Sequence, residues 1–136
     1  MVVDASVVVS RLVPHDVHHE ASRRWLTQHI AGGGLLIAPT LLLAEVAGAV
    51  ARRTGKPRLA QRAVAAVLRL PALRLLPVDE ILARAASSLA GQFRVRGADA
   101  ICIAAAAALR VPLATWDLEQ RERAAHIVDV FVPQQQ

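Results

Sequence analysis

Four acidic residues in this chain lie where a charge has no evident partner. Asp4 stands between Val2-Val3 and a further valine run, and Glu45 is the only charged residue between Thr40 and Ala51. Asp99 is followed by ten uncharged residues, 100–109, and Asp117 comes directly after Leu113-Ala114-Thr115-Trp116. Burying an ionised carboxylate without a partner is costly enough that proteins avoid it. Each of these acids therefore needs a cation, a hydrogen-bonding cap or a place at the rim of the fold. Three have a local alternative. Asp99 and Asp117 suit helix N-caps, with Asp117 and Gln120 spaced as a capping box, and Asp4 suits a turn at a strand end. Glu45 has none, because it reads as a mid-helix residue far from either end of the helix dipole. If the four face one crevice they repel, and some of them hold a proton unless a cation intervenes. A hard divalent cation, Mg²⁺ or Mn²⁺, resolves that conflict through carboxylate and water oxygens.

The elements that must position these acids follow from hydrophobic pattern and punctuation. Residues 2–9 are apolar and β-branched and read as a buried strand. Asp16 then caps a helix to about residue 30, ended by Gly32-Gly33-Gly34, and a short strand follows over 35–38. Pro39-Thr40 opens an apolar helix to about residue 53. A turn over 54–57 places Pro57 at the first position of a helix running to about residue 70. Residues 73–76 read as a strand, Asp79 caps a helix to about residue 93, and an alanine-rich helix spans 98–110. A strand over 111–115, a short helix over 118–125 and a last strand over 127–132 complete the chain. This alternation implies the α/β class: one domain, 1–136, with a central mostly parallel sheet and helices on both faces. Ligands of such sheets bind at the carboxyl ends of the strands. Asp4 and Asp117 fall at strand ends, and Glu45 and Asp99 lie on helices entered from that side.

Composition supports a folded domain acting on a polyanion. The 136 residues are 54% hydrophobic but only 3% aromatic, so the core is built from Ala, Val and Leu. Sixteen Lys and Arg against eleven Asp and Glu give a net charge of +5, and Lys56 is the only lysine. An acidic pocket within a basic protein suggests a polyanionic substrate held by arginines around it. The single cysteine, Cys102, excludes an intrachain disulfide and reads as a small core residue. There is no basic, apolar signal sequence and no charge-free stretch long enough to span a membrane, so a soluble, cytoplasmic protein without membrane partners is expected. G-x-G-x-x-G, G-x-x-x-x-G-K-[ST] and G-x-S-x-G are all absent, which argues against dinucleotide, P-loop and serine-hydrolase chemistry.

Four ordered blocks carry a resemblance: Val2-Val3-Asp4-Ala5-Ser6; Ala38-Pro39-Thr40 through Ala44-Glu45-Val46; Arg96-Gly97-Ala98-Asp99-Ala100; and Ala114-Thr115-Trp116-Asp117. Together they resemble the PIN-domain ribonucleases, and closely the VapC-type toxins of bacterial toxin–antitoxin pairs, over essentially the whole chain. The resemblance implies a single PIN-like domain that hydrolyses RNA phosphodiester bonds with Mg²⁺ or Mn²⁺. It implies that Asp4, Glu45, Asp99 and Asp117 form the metal site, Asp117 being the position the family varies most, and that the hydroxyls of Ser6 and Thr115 support them. A small VapB-type antitoxin and a homodimer are the partners it implies.

Other features have two readings. Arg52, Arg53, Lys56, Arg58 and Arg62 are either a solvated face or a patch for an RNA backbone. Arg94 and Arg96, flanking the loop before Asp99, are the better phosphate candidates. His15, His18 and His19 lack the further ligand that a metal site needs. Trp116 suits either stacking on a base or packing at a strand end. Two other functions share the α/β plan. A phosphoacceptor signalling domain needs a paired acid after the first strand and a lysine after the last; here Asp4 stands alone and Lys56 is misplaced. A catalytically inert binding module would lack some of the four acids, and all are present.

Overall fold

The computed structural model describes residues 1–134; Gln135 and Gln136, the end of the glutamine tail, lie outside them. Strand β1 (Val2–Val3) leads into α1 (Ala5–Leu12) and α2 (His19–Ala31), and β2 (Leu36–Pro39) into α3 (Leu42–Thr54) and α4 (Pro57–Leu68). Strand β3 (Leu73–Leu76) leads into α5 (Glu80–Phe93) and α6 (Gly97–Leu109). Strand β4 (Leu113–Ala114), helix α7 (Leu118–Ala124) and β5 (Val130–Phe131) follow. The strands form one sheet in the order β3-β2-β1-β4-β5, and every neighbouring pair is parallel.

Successive side chains of a strand point to opposite faces, and this sheet uses both. Val3, Leu36, Ala38 and Ala114 pack with Val7, Val8, Leu26, Val46, Ala63 and Val67 from α1 to α4. Val2 and Leu113 pack on the other face with Leu82, Ala86, Ile103, Ala105 and Ala124 from α5 to α7. The alanines of α6 give a thin helix that lies close to the sheet, as a core poor in aromatics requires. Cys102 is buried among them.

Four local expectations need correction. Residues 2–9 are not one strand: the chain turns after Val3, and Asp4 caps α1 by accepting the Ser6 N–H at 2.9 Å. Val7, Val8 and Val9 are buried as helix residues, so tertiary packing overrides their preference for strand. Asp16 does not cap α2. It accepts the His18 N–H at 2.8 Å, while His18 itself is the N-cap residue. Asp99 is not a cap either, since α6 begins at Gly97 with Arg96 as its N-cap residue. Finally α3 starts at Leu42 rather than Thr40, which moves Glu45 from mid-helix into the first turn.

Candidate active site

The chain adds β2 and β3 on one side of β1 and then crosses to place β4 and β5 on the other, so β1 and β4 flank a topological switch point. A crevice of about 660 Å³ opens there, and Asp4, Glu45, Asp99 and Asp117 all line it. The four come from four helix starts. Asp4 is the N-cap of α1 and Asp117 that of α7, while Glu45 and Asp99 lie in the first turns of α3 and α6. Helix N-termini carry partial positive charge, which favours carboxylates at each place. Alanines adjoin three of the acids, and those alanines (Ala5, Ala44 and Ala98) also line the crevice. Larger side chains there would fill it.

A hydroxyl network joins β1 to β4 beneath the acids. Thr115, fully buried, donates its hydroxyl to Asp4 Oδ2 at 3.4 Å and accepts the Asp117 N–H at 3.1 Å. The Ser6 and Thr115 hydroxyls are 3.2 Å apart, and Ser6 Oγ accepts the Trp116 N–H at 3.0 Å. Each hydroxyl has one proton to give, so with Thr115 donating to Asp4, Ser6 donates to Thr115. Asp117 also accepts the Gln120 N–H at 2.7 Å, the expected half of a capping box. The reciprocal half is missing because Gln120 reaches instead to the Asp99 carbonyl, at 3.4 Å, tying α7 to the start of α6.

The crevice is short of positive charge. Burial, with the neighbouring charges of Asp4 and Asp99, raises Glu45 to about 7. Asp99 is also raised, by burial and then by Asp4, although Arg96 opposes the change. Arg96 donates from Nε to Asp99 Oδ2 at 3.2 Å and from Nη2 to Asp117 Oδ2 at 3.0 Å. Those two carboxylates hold its guanidinium above its usual value, Asp99 contributing most. Its side chain is nevertheless 67% exposed, so this clamp stands at the mouth of the crevice. Among the described residues no three His, Cys, Asp or Glu side chains are grouped tightly enough, as they stand, to close a metal shell. Arg96 hydrogen-bonds to Oδ2 of both Asp99 and Asp117.

Arg52 and Arg53 line the crevice with Arg96, whereas Arg94 lines a separate recess with Phe93, Glu122, Arg123 and His126. Two polar lining residues, Asp16 and His18, owe their place in the crevice to partners distant in the sequence. Asp16 pairs with Arg53 across 37 positions, and His18 stacks on Trp116. Neither pairing has a local sequence signal. A second, more apolar recess, lined by Leu12, Val13, Val50, Leu59 and Ala63, adjoins the crevice and shares Asp16 and Arg53 with it.

The family model of the PIN domain matches residues 1–126. No curated protein sequence matches the chain significantly. Among solved structures, a Mycobacterium tuberculosis VapC toxin described as cleaving the sarcin–ricin loop aligns with a TM-score of 0.75 and 22% identity, over 95% of this chain and 97% of that one. VapBC from Salmonella typhimurium, solved bound to DNA, aligns with a TM-score of 0.69 and 14% identity, over 96% of both chains. A toxin–antitoxin complex from Klebsiella pneumoniae aligns with a TM-score of 0.64 and 16% identity, over 99% of this chain and 98% of that one. At these identities the likeness is one of fold.

Proposed function

From the premise that this chain belongs to the PIN-domain family, we propose that it is a divalent-metal-dependent endoribonuclease and the toxin of a VapBC-type toxin–antitoxin pair. The observation that carries this reading is the convergence of Asp4, Glu45, Asp99 and Asp117, from four separate helix starts, on one crevice at the switch point. All four offer only oxygen donors, which suits Mg²⁺ or Mn²⁺. The raised Glu45 marks a group of carboxylates with too little positive charge among them, the condition that a divalent cation would relieve.

Asp4, Glu45 and Asp99 would hold the cation, with Asp117 completing or orienting the set. Once bound, the ion supplies Lewis-acid activation of water and of the scissile phosphate. The protein's share is positional. Thr115 and Ser6 lock Asp4 to the start of α7, so the acids from β1 and β4 keep a fixed separation. Arg96, exposed at the mouth and ion-paired with Asp99 and Asp117, would turn to a phosphate oxygen once a cation takes up those acids. Arg52 and Arg53 extend the positive rim along the path of an RNA backbone. An antitoxin segment lying across the crevice would find a place for its apolar side chains in the adjoining recess.

Purified protein incubated with RNA should cleave it in Mg²⁺ or Mn²⁺ and stop on addition of EDTA. Asp4→Asn and Asp99→Asn should each lower the rate by at least about a hundredfold, as expected when part of a preorganised charge is removed. Cleavage that survives EDTA and both substitutions would sink the proposal. Co-expression with the product of an adjacent short reading frame should give a stable complex that no longer cleaves.

A further inference from the structure

His18 and Trp116 also line the crevice, and the chemistry proposed above uses neither side chain. Their rings lie face to face, with centroids 3.8 Å apart and planes 7° from parallel. The indole is anchored from behind. Its Nε1 donates to Ser22 Oγ at 2.7 Å, and Ser22 is fully buried with its hydroxyl 2.6 Å from that of Ser10. The Trp116 main chain joins the network that braces Asp4, through the bond to Ser6 Oγ. His18 is positioned by its backbone, whose N–H goes to Asp16, itself paired with Arg53. The His18 side chain has no hydrogen bond among the described residues, and its ring stacks on the indole.

The chain has two Trp, two Phe and no Tyr, yet one of these rings stands in the crevice and is faced by a second flat ring. Around them are guanidinium groups. Arg53 adjoins the stack through Asp16, and Arg52 lines the same crevice without an ion pair among the described residues. Flat rings and a guanidinium lining one crevice match the two halves of a nucleotide. Unpaired bases stack on aromatic and imidazole faces, and phosphates seek arginine.

We infer that the His18–Trp116 stack is a nucleobase subsite: one base of a single-stranded RNA continues the stack of the two rings, while Arg52 meets a phosphate of the same strand. This deepens the ribonuclease reading and rests on it. The stack would fix the register of the strand, since a base held there leaves a set number of backbone bonds between it and the acids.

The test uses the full chain in EDTA, where a metal-dependent nuclease is silent, and reads fluorescence anisotropy. The probes are a short labelled single-stranded oligoribonucleotide and a strand of equal length in which every nucleotide is abasic. Wild type should prefer the base-bearing strand, His18→Ala should lose roughly tenfold of that preference, and His18→Phe should retain it to within about twofold. Arg52→Ala should weaken both strands alike. His18→Ala that keeps the wild-type preference, or that weakens both strands equally, overturns the subsite and leaves the stack as a surface for a protein partner. Failure of the wild type to bind either strand overturns the subsite, whereas the ribonuclease reading falls only if the cleavage assay in Mg²⁺ or Mn²⁺ fails.

Discussion

Glu45 concentrates the electrostatic tension of the crevice in one titratable group. Burial and the charges of Asp4 and Asp99 raise it to about 7, against an ordinary value of 4.5. The folded protein therefore holds this proton more tightly than the unfolded chain does. Stability is fully retained below the unfolded value and declines as pH rises from about 4.5 through about 7. For the metal-free protein the loss should be on the order of 1–3 kcal/mol, and Glu45→Gln should flatten that part of the profile in denaturant titrations across the range. A slope unchanged by the substitution would mean that another group carries it. Arg96 makes the complementary case. Its guanidinium occupies oxygens of Asp99 and Asp117 that a cation would use, through a well-exposed pair. Arg96→Ala should tighten Mn²⁺ binding modestly, by roughly two- to fivefold in calorimetry, while weakening RNA binding. Weaker Mn²⁺ binding would instead make Arg96 a support for the acids. The four acids were legible in the sequence because each lacked local company. Asp16 and His18 were not legible, because what gives them a place is pairing with Arg53 and Trp116, far away in the chain.

Among the elements, two helices end unusually. Helix α5 closes on Arg94 and α6 on Arg110, both in the left-handed region with φ of 56° and 55°. Glycine adopts that conformation without the clash that a Cβ introduces. Arg94→Gly should raise unfolding stability by about 1 kcal/mol. Chemical denaturation checks this, and a destabilised variant would show that the arginine stem packs usefully. Most element positions were legible, because helix and strand periods differ and Gly, Pro and Asp mark the ends. Gly55 with its φ of 67° and Pro57 at the start of α4 both serve as the turn chemistry requires. Residues 2–9 read as a strand for a physical reason. A run of valines buried on all sides satisfies either a strand or a helix; here Asp4 caps the start of a helix, and tertiary packing buries the valines in that form. The same effect of a start site moved Glu45: two residues of turn after β2 change it from a mid-helix charge into a first-turn one.

At the scale of the whole molecule, a net charge of +5 surrounds a crevice lined by acids. RNA affinity should therefore fall linearly with the logarithm of salt concentration, and Arg52→Ala should reduce the slope by about one. An unchanged slope would place Arg52 off the RNA path. The homodimer that the resemblance implies would appear in light scattering as twice the 14.5 kDa of one chain. A mass of one chain at all concentrations would count against it. The sheet divides the core into two layers, and the acids divide in the same way. Asp4 and Glu45 head helices packed on one face, and Asp99 and Asp117 head helices packed on the other. Any ion gripped by both pairs would be a rivet through the sheet. Chelation should then do more than silence the protein: amides at the starts of α3 and α6 should lose hydrogen-exchange protection together, two regions in separate layers loosening as one.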